Sequence, residues 1–87
     1  MALQLRPDIA IADLEDGVVL LDQRTGRYWQ LNSSGAYTLR CILDGKSPAQ
    51  AASEIAAHYG VESEVARADV AAVVEQLQSS LLLEETP

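Results

Sequence analysis

The sequence predicts an α+β fold of winged helix-turn-helix type, a three-stranded antiparallel meander followed by three helices. Three observations carry that prediction. Short apolar or alternating runs separated by tight polar turns fill the first third of the chain. Apolar residues recur at helical spacing through the remainder. Cap-forming residues precede those helical stretches, and Gly follows two of them. The 87 residues make one domain, 1–87, with a thin core and flexible ends expected over about 1–7 and 84–87.

Ile9–Leu14 (IAIADL) alternates and reads as the first strand. Glu15–Gly17 is a turn, and Val18–Asp22 (VVLLD) is a continuous apolar run, hence a more buried strand. After a second turn at Gln23–Gly26, Arg27–Leu31 (RYWQL) forms the third strand, which holds the only Trp and one of three Tyr. Tight turns order these strands as a meander, so the third is an edge.

Asn32 or Ser33 is placed to cap a first helix carrying Ala36, Leu39, Ile42 and Leu43, with Gly45 suited to its left-handed end. Ser47–Gln50 (SPAQ) matches a capping box with Pro at the first helical position. The second helix runs to Tyr59, burying Ala52, Ile55, Ala56 and Tyr59, and stops at Gly60. The third and longest helix begins at Glu62 or Ser63 and ends near Ser79. Its apolar stripe is Val65 or Ala66, Val70, Val73, Val74 and Leu77, and Glu62 and Glu64 suit the dipole of its first turn. The final LLLEETP is a short apolar coda before a frayed tail.

Charge and residue inventory narrow the function. The formal charge of −7 gives no electrostatic gain on phosphate backbones or anionic membranes and favours a basic partner. The third helix, the reading helix of a winged helix, carries Glu62, Glu64, Asp69 and Glu75 against Arg67, which argues against duplex binding. The single Cys41 fits a reducing cytosol, and the N-terminal stretch has no apolar core of a signal peptide, so a cytoplasmic location is expected. No run approaches the ~18 apolar residues that span a bilayer. Cys41 reads as a buried inert thiol and His58 as a helix-end residue rather than a nucleophile and base. One Cys and one His make no zinc spacing, and Asp13–Asp16 lack the calcium-loop pattern. No enzyme activity, metal or cofactor is expected.

The third strand is the remaining candidate. Period-2 alternation divides Trp29 and Leu31 from Tyr28 and Gln30, and leaves open which aromatic meets a partner. Edge strands expose unpaired backbone groups and are normally guarded by Lys, Pro or a bulge. Here only Arg27 stands at the strand start. An aromatic edge beside a Val-rich helix suits β-augmentation, in which a guest peptide adds a strand.

In order along the chain stand Tyr28-Trp29, Leu31-Asn32, Gly35, Asp44-Gly45, Tyr59-Gly60-Val61 and Asp69-Val70. This pattern, spanning nearly the whole chain, resembles the PqqD-like family of RiPP precursor peptide recognition elements. The resemblance implies a winged-helix-like, non-catalytic domain that binds the leader of a ribosomally made precursor peptide and presents it to a modifying enzyme. It implies that the leader lies antiparallel along the third strand, beside the third helix. Carried over by position, the contacts fall on Tyr28, Trp29, Gln30 and Leu31, and on Asp69, Val70, Val73, Val74 and Leu77. A free-standing short member most resembles the lasso-peptide type, which implies a leader with a Tyr-x-x-Pro motif and a transglutaminase-like cysteine-protease leader peptidase as second partner. The alternatives are a PqqD-type chaperone for a radical SAM enzyme and a winged-helix oligomerisation or transcription module. A monomer is expected.

Overall fold

The computed structural model describes residues 3–80 and 82–85. Its elements run β1 (Leu3–Leu5), β2 (Ile9–Leu14), β3 (Gly17–Asp22), β4 (Tyr28–Asn32), α1 (Ser33–Leu43), α2 (Pro48–Tyr59), α3 (Ser63–Ser79) and β5 (Leu83–Glu85). β2, β3 and β4 form the expected antiparallel meander, with β3 central and β4 at an edge. The register pairs Ile9 with Asp22 and Leu14 with Gly17 in one ladder, and Val18 with Leu31 and Leu20 with Trp29 in the other.

A single position explains how tightly the β2–β3 turn approaches β4. Gly17 has φ +156°, and a Cβ there would lie 1.9 Å from the Leu31 carbonyl oxygen. Only the absence of a side chain allows that approach. The β3–β4 turn is held from within: the Arg24 N–H donates to Asp22 Oδ1 at 2.9 Å, and the Gly26 N–H donates to the Asp22 carbonyl at 2.8 Å.

The first two helices start where cap chemistry places them. Asn32 Oδ1 accepts from the Gly35 N–H at 2.9 Å. Ser47 and Gln50 form a reciprocal box, the Gln50 N–H donating to Ser47 Oγ at 3.1 Å and the Ser47 N–H to Gln50 Oε1 at 2.8 Å. Gly60 closes α2 at φ +66°, the left-handed conformation that stops a helix at little steric cost. Glu62 precedes α3 without a side-chain cap bond.

α1 packs on β3 and β4, and α2 and α3 pack on α1 and on each other. The core gathers Ile9, Val18, Leu20 and Leu31 from the sheet with Ala36, Leu39, Ile42, Leu77, Leu82 and Leu83. A second cluster, Cys41, Ala51, Ala52, Ile55, Ala66 and Val70, locks α1, α2 and α3 together. Small Ala residues on facing helices allow that close packing. Fully burying each aliphatic side chain stabilises by about 1.5–3 kcal/mol before chain entropy is counted.

Two details depart from the sequence expectation, and a third settles an alternative that it left open. Parts of the ends read as flexible carry paired backbone: β1 and β5 form a two-stranded antiparallel ribbon, Leu3 opposite Glu85 and Leu5 opposite Leu83. The Arg6 N–H adds a bond to the Leu82 carbonyl at 3.0 Å, and Leu3 and Leu5 pack on the main core. Met1, Ala2, Thr86 and Pro87, also within those ends, lie outside the described residues. Tyr59, expected inside, is exposed, as is Leu43, while Ala51, which was not anticipated, is fully buried. Ala66 rather than Val65 takes the inward position at the start of the α3 stripe.

Candidate peptide-binding site

The free edge of β4 follows from hydrogen-bond phase. In an antiparallel ladder, alternate residues of a strand direct their N–H and C=O to the same neighbour. The Asp22 N–H donates to the Arg27 carbonyl at 2.9 Å, so residue 27 points its carbonyl toward β3. By alternation along the register, the backbone groups of Trp29 and Leu31 also point to β3. Those of Tyr28 and Gln30 point away from the sheet. Strand order leaves that side with no neighbouring strand among the described residues. β4 thus presents the N–H and C=O of Tyr28 and Gln30 as a short template for another strand.

Side chains alternate on the other axis. Leu31 and Trp29 share the face of Val18 and Leu20, against the helices. Tyr28 and Gln30 share the opposite face with Val19 and Leu21, and Tyr28 is 70% exposed there. Trp29 is therefore the aromatic on the helix side, and Tyr28 the one on the far face of the sheet. It is half-buried and packs on the core, as do Val73 and Val74 of α3.

α1 touches both β4 and α3, whereas β4 and α3 do not pack along each other. Trp29 on β4 and Val73 and Val74 on α3 thus border one core with α1 in contact with both elements, and the surface between them is the candidate trough. Asp69 is exposed one helical turn before Val73, on the same face of α3. The nine residues carried over from the family pattern therefore separate into two groups. Tyr28, Trp29, Gln30, Asp69, Val73 and Val74 reach the surface. Leu31 at 5% exposure and Val70 and Leu77 at 1% are core residues, Leu31 and Leu77 in the main cluster and Val70 in the one that joins the helices. Helix periodicity alone put Val70 and Leu77 on the stripe beside Val73 and Val74. Which members of a stripe are covered depends on the packing of α1 and α2, which the pattern does not encode.

Arg27 stands at the start of the same edge, outside the nine residues of the family pattern. Its guanidinium carbon lies 5.8 Å from the Trp29 ring centroid. The i, i+2 spacing of Arg27 and Trp29 puts both on one face of a strand.

The polar residues away from this edge are packed or paired within the helices. Cys41 is buried, and burial, followed by the nearby Glu54 carboxylate, pushes its thiol pKa up, away from the reactive thiolate. His58 packs between Tyr37 and Tyr59, tilted 36° to the first at 5.3 Å and edge-to-face with the second at 4.8 Å between ring centroids. Lys46 Nζ donates to Glu54 Oε1 at 3.0 Å and the Tyr37 hydroxyl to the same oxygen at 3.2 Å, tying α2 to α1 and to its exit turn. Among the described residues no cluster of three or more His, Cys, Asp or Glu is placed to hold a metal, and no helix is long and apolar enough to cross a membrane.

Comparisons with known proteins bear on this geometry. The family model described as coenzyme PQQ synthesis protein D (PqqD) matches residues 17–83. A solved structure described as lasso peptide synthetase B1 complexed with the leader peptide is 40% identical and superposes with a TM-score of 0.88, covering 98% of this chain and 100% of that one. TbiB1 in complex with the TbiA(beta) leader peptide is 27% identical, with a TM-score of 0.81 over 97% of this chain and 98% of that one. Among curated proteins, none matches.

Proposed function

The chain belongs to the family of coenzyme PQQ synthesis protein D (PqqD), and on that premise we propose that it is a non-catalytic adaptor for the leader segment of a ribosomally made precursor peptide. The observation that carries this reading is the free β4 edge beside the trough between Trp29 and the α3 valines. Two structures that share this fold almost end to end are leader-peptide complexes, which supports it.

In this reading the leader adds an antiparallel strand to β4. The outward N–H and C=O of Tyr28 and Gln30 supply affinity that does not depend on sequence. Alternate leader side chains enter the trough, where Trp29, Val73 and Val74 bind them by apolar burial and Asp69 is placed to pair with a basic or hydroxyl group. Leu31, Val70 and Leu77 hold those walls in position from within the two core clusters.

The lasso-peptide route is favoured over pyrroloquinoline quinone biogenesis because the 40% identical neighbour is a lasso protein. The adaptor would then deliver the leader to a cysteine-protease leader peptidase and act as a monomer in the cytoplasm. Trp29, the sole Trp, provides the test. A synthetic leader peptide encoded beside this gene should shift Trp29 emission and bind with nanomolar to micromolar affinity, roughly −12 to −8 kcal/mol. Co-purification with the neighbouring peptidase should strengthen when the leader is added. A folded protein that neither binds the leader nor changes emission would overturn the proposal.

A further inference from the structure

We infer that Arg27 makes the groove selective for an acidic residue in the bound peptide, two positions C-terminal to the residue lying over Trp29. The inference rests on the proposed leader groove and assigns a charge preference opposite in sign to the one that the overall charge of −7 suggests.

The chain has six cationic side chains. Four of them, Arg6, Arg24, Arg40 and Lys46, have a carboxylate within 4.0 Å. Arg27 and Arg67 have none among the described residues. Arg67 lines a shallow hollow with Ala49, Ala52, Ser53 and Ser63, between α2 and α3. Arg27 is exposed, and its guanidinium sits over the Trp29 ring at 5.8 Å. In a chain with 13 acids, the cation at the mouth of the groove has no acid partner among the described residues.

Strand geometry then places the partner. Because Tyr28 and Gln30 direct their backbone outward, a guest strand forms hydrogen-bonded pairs with them. It forms non-hydrogen-bonded pairs with Arg27, Trp29 and Leu31, the pairs in which side chains approach most closely. An antiparallel guest running N to C passes Leu31, then Trp29, then Arg27. Its three trough-facing side chains are thus spaced by two, and the last lies directly opposite the guanidinium. An acid there forms a cross-strand ion pair, and a Lys there meets like charge.

Panning a random 12-residue peptide display library on the wild type should enrich Asp or Glu two positions after an apolar residue. Panning on Arg27→Glu should enrich Lys or Arg at that position. Arg67→Glu carries the same net charge with the change outside the groove, and should select like the wild type. For one selected peptide, the Glu form should bind the wild type roughly two- to fivefold more tightly than the Lys form. Arg27→Ala should flatten that ratio, as should raising the salt. Equal binding of the two forms, or the same peptides enriched by wild type and Arg27→Glu, would overturn the inference while leaving the groove intact. If no peptide is enriched on the folded wild type, or if Gln30→Pro leaves enrichment unchanged, the groove reading fails and the inference falls with it.

Discussion

The Asp22 N–H donates to the Arg27 carbonyl at 2.9 Å, and that bond sets which backbone groups of β4 are free. It puts the Gln30 N–H on the outer edge. Gln30→Pro is therefore expected to remove a donor to the guest strand without breaking a bond to β3. Peptide affinity should fall by about tenfold or more, with far-UV circular dichroism unchanged. Tyr28→Ala, whose side chain lies on the far face of the sheet, should cost less. Titration of both variants with a leader peptide tests the order.

Val73 and Val70 stand three residues apart on α3 with different exposure. Val73 is half-buried at the trough, and Val70 is 1% exposed. Val73→Asp should abolish peptide binding in a protein that still melts cooperatively. Val70→Asp should unfold it, since an unpaired buried charge costs several kcal/mol. Retained binding in folded Val73→Asp would remove α3 from the site. Val74 packs on both core clusters, so a charge there should weaken stability and binding together.

Gly17 has no room for a methyl group. With the Leu31 carbonyl oxygen 1.9 Å from where a Cβ would stand and φ at +156°, Gly17→Ala must displace the end of β4. The expected loss is about 2–4 kcal/mol, measurable by urea unfolding. Gly26→Ala at φ +76° meets no neighbouring atom and should cost less.

Acid should loosen the β3–β4 turn. Burial works against ionisation of Asp22, but the Arg24 N–H, the Arg24 guanidinium and the Thr25 N–H outweigh it and hold the carboxyl below its ordinary 3.8. A carboxyl whose folded pKa is lowered contributes stability that is complete above its unfolded value. That contribution is lost as the pH falls through the lowered one. Stability should therefore decline below pH 3.8, and Asp22→Asn should show a shallower acid limb in thermal melts.

Much of the element order was legible because it rests on local chemistry. Asn32, the Ser47–Gln50 pair and Gly60 act on backbone groups within four residues of themselves, so their roles are visible in a short window. The edge position of the third meander strand followed from tight turns alone. The β1–β5 ribbon was not legible, because two three-residue strands carry no periodic signal and their partners lie at opposite ends of the chain. Tyr59 was placed inside by helical spacing, yet it lies at the end of α2, where the edge of the Tyr37 ring meets it and 40% of it stays exposed.

Within the candidate site the division has the same physical origin. The sequence by itself determined that an aromatic strand lies at an edge and that a valine-rich helix follows it, since period and turn chemistry are local properties. Only the tertiary structure decided that Trp29 rather than Tyr28 turns toward the helices, and that Val73 and Val74 stay at the surface while Val70 and Leu77 are sealed. It also decided that Arg27 reaches over Trp29. Those outcomes depend on how α1 packs against both β4 and α3, a packing arrangement among segments distant in sequence that no local pattern specifies.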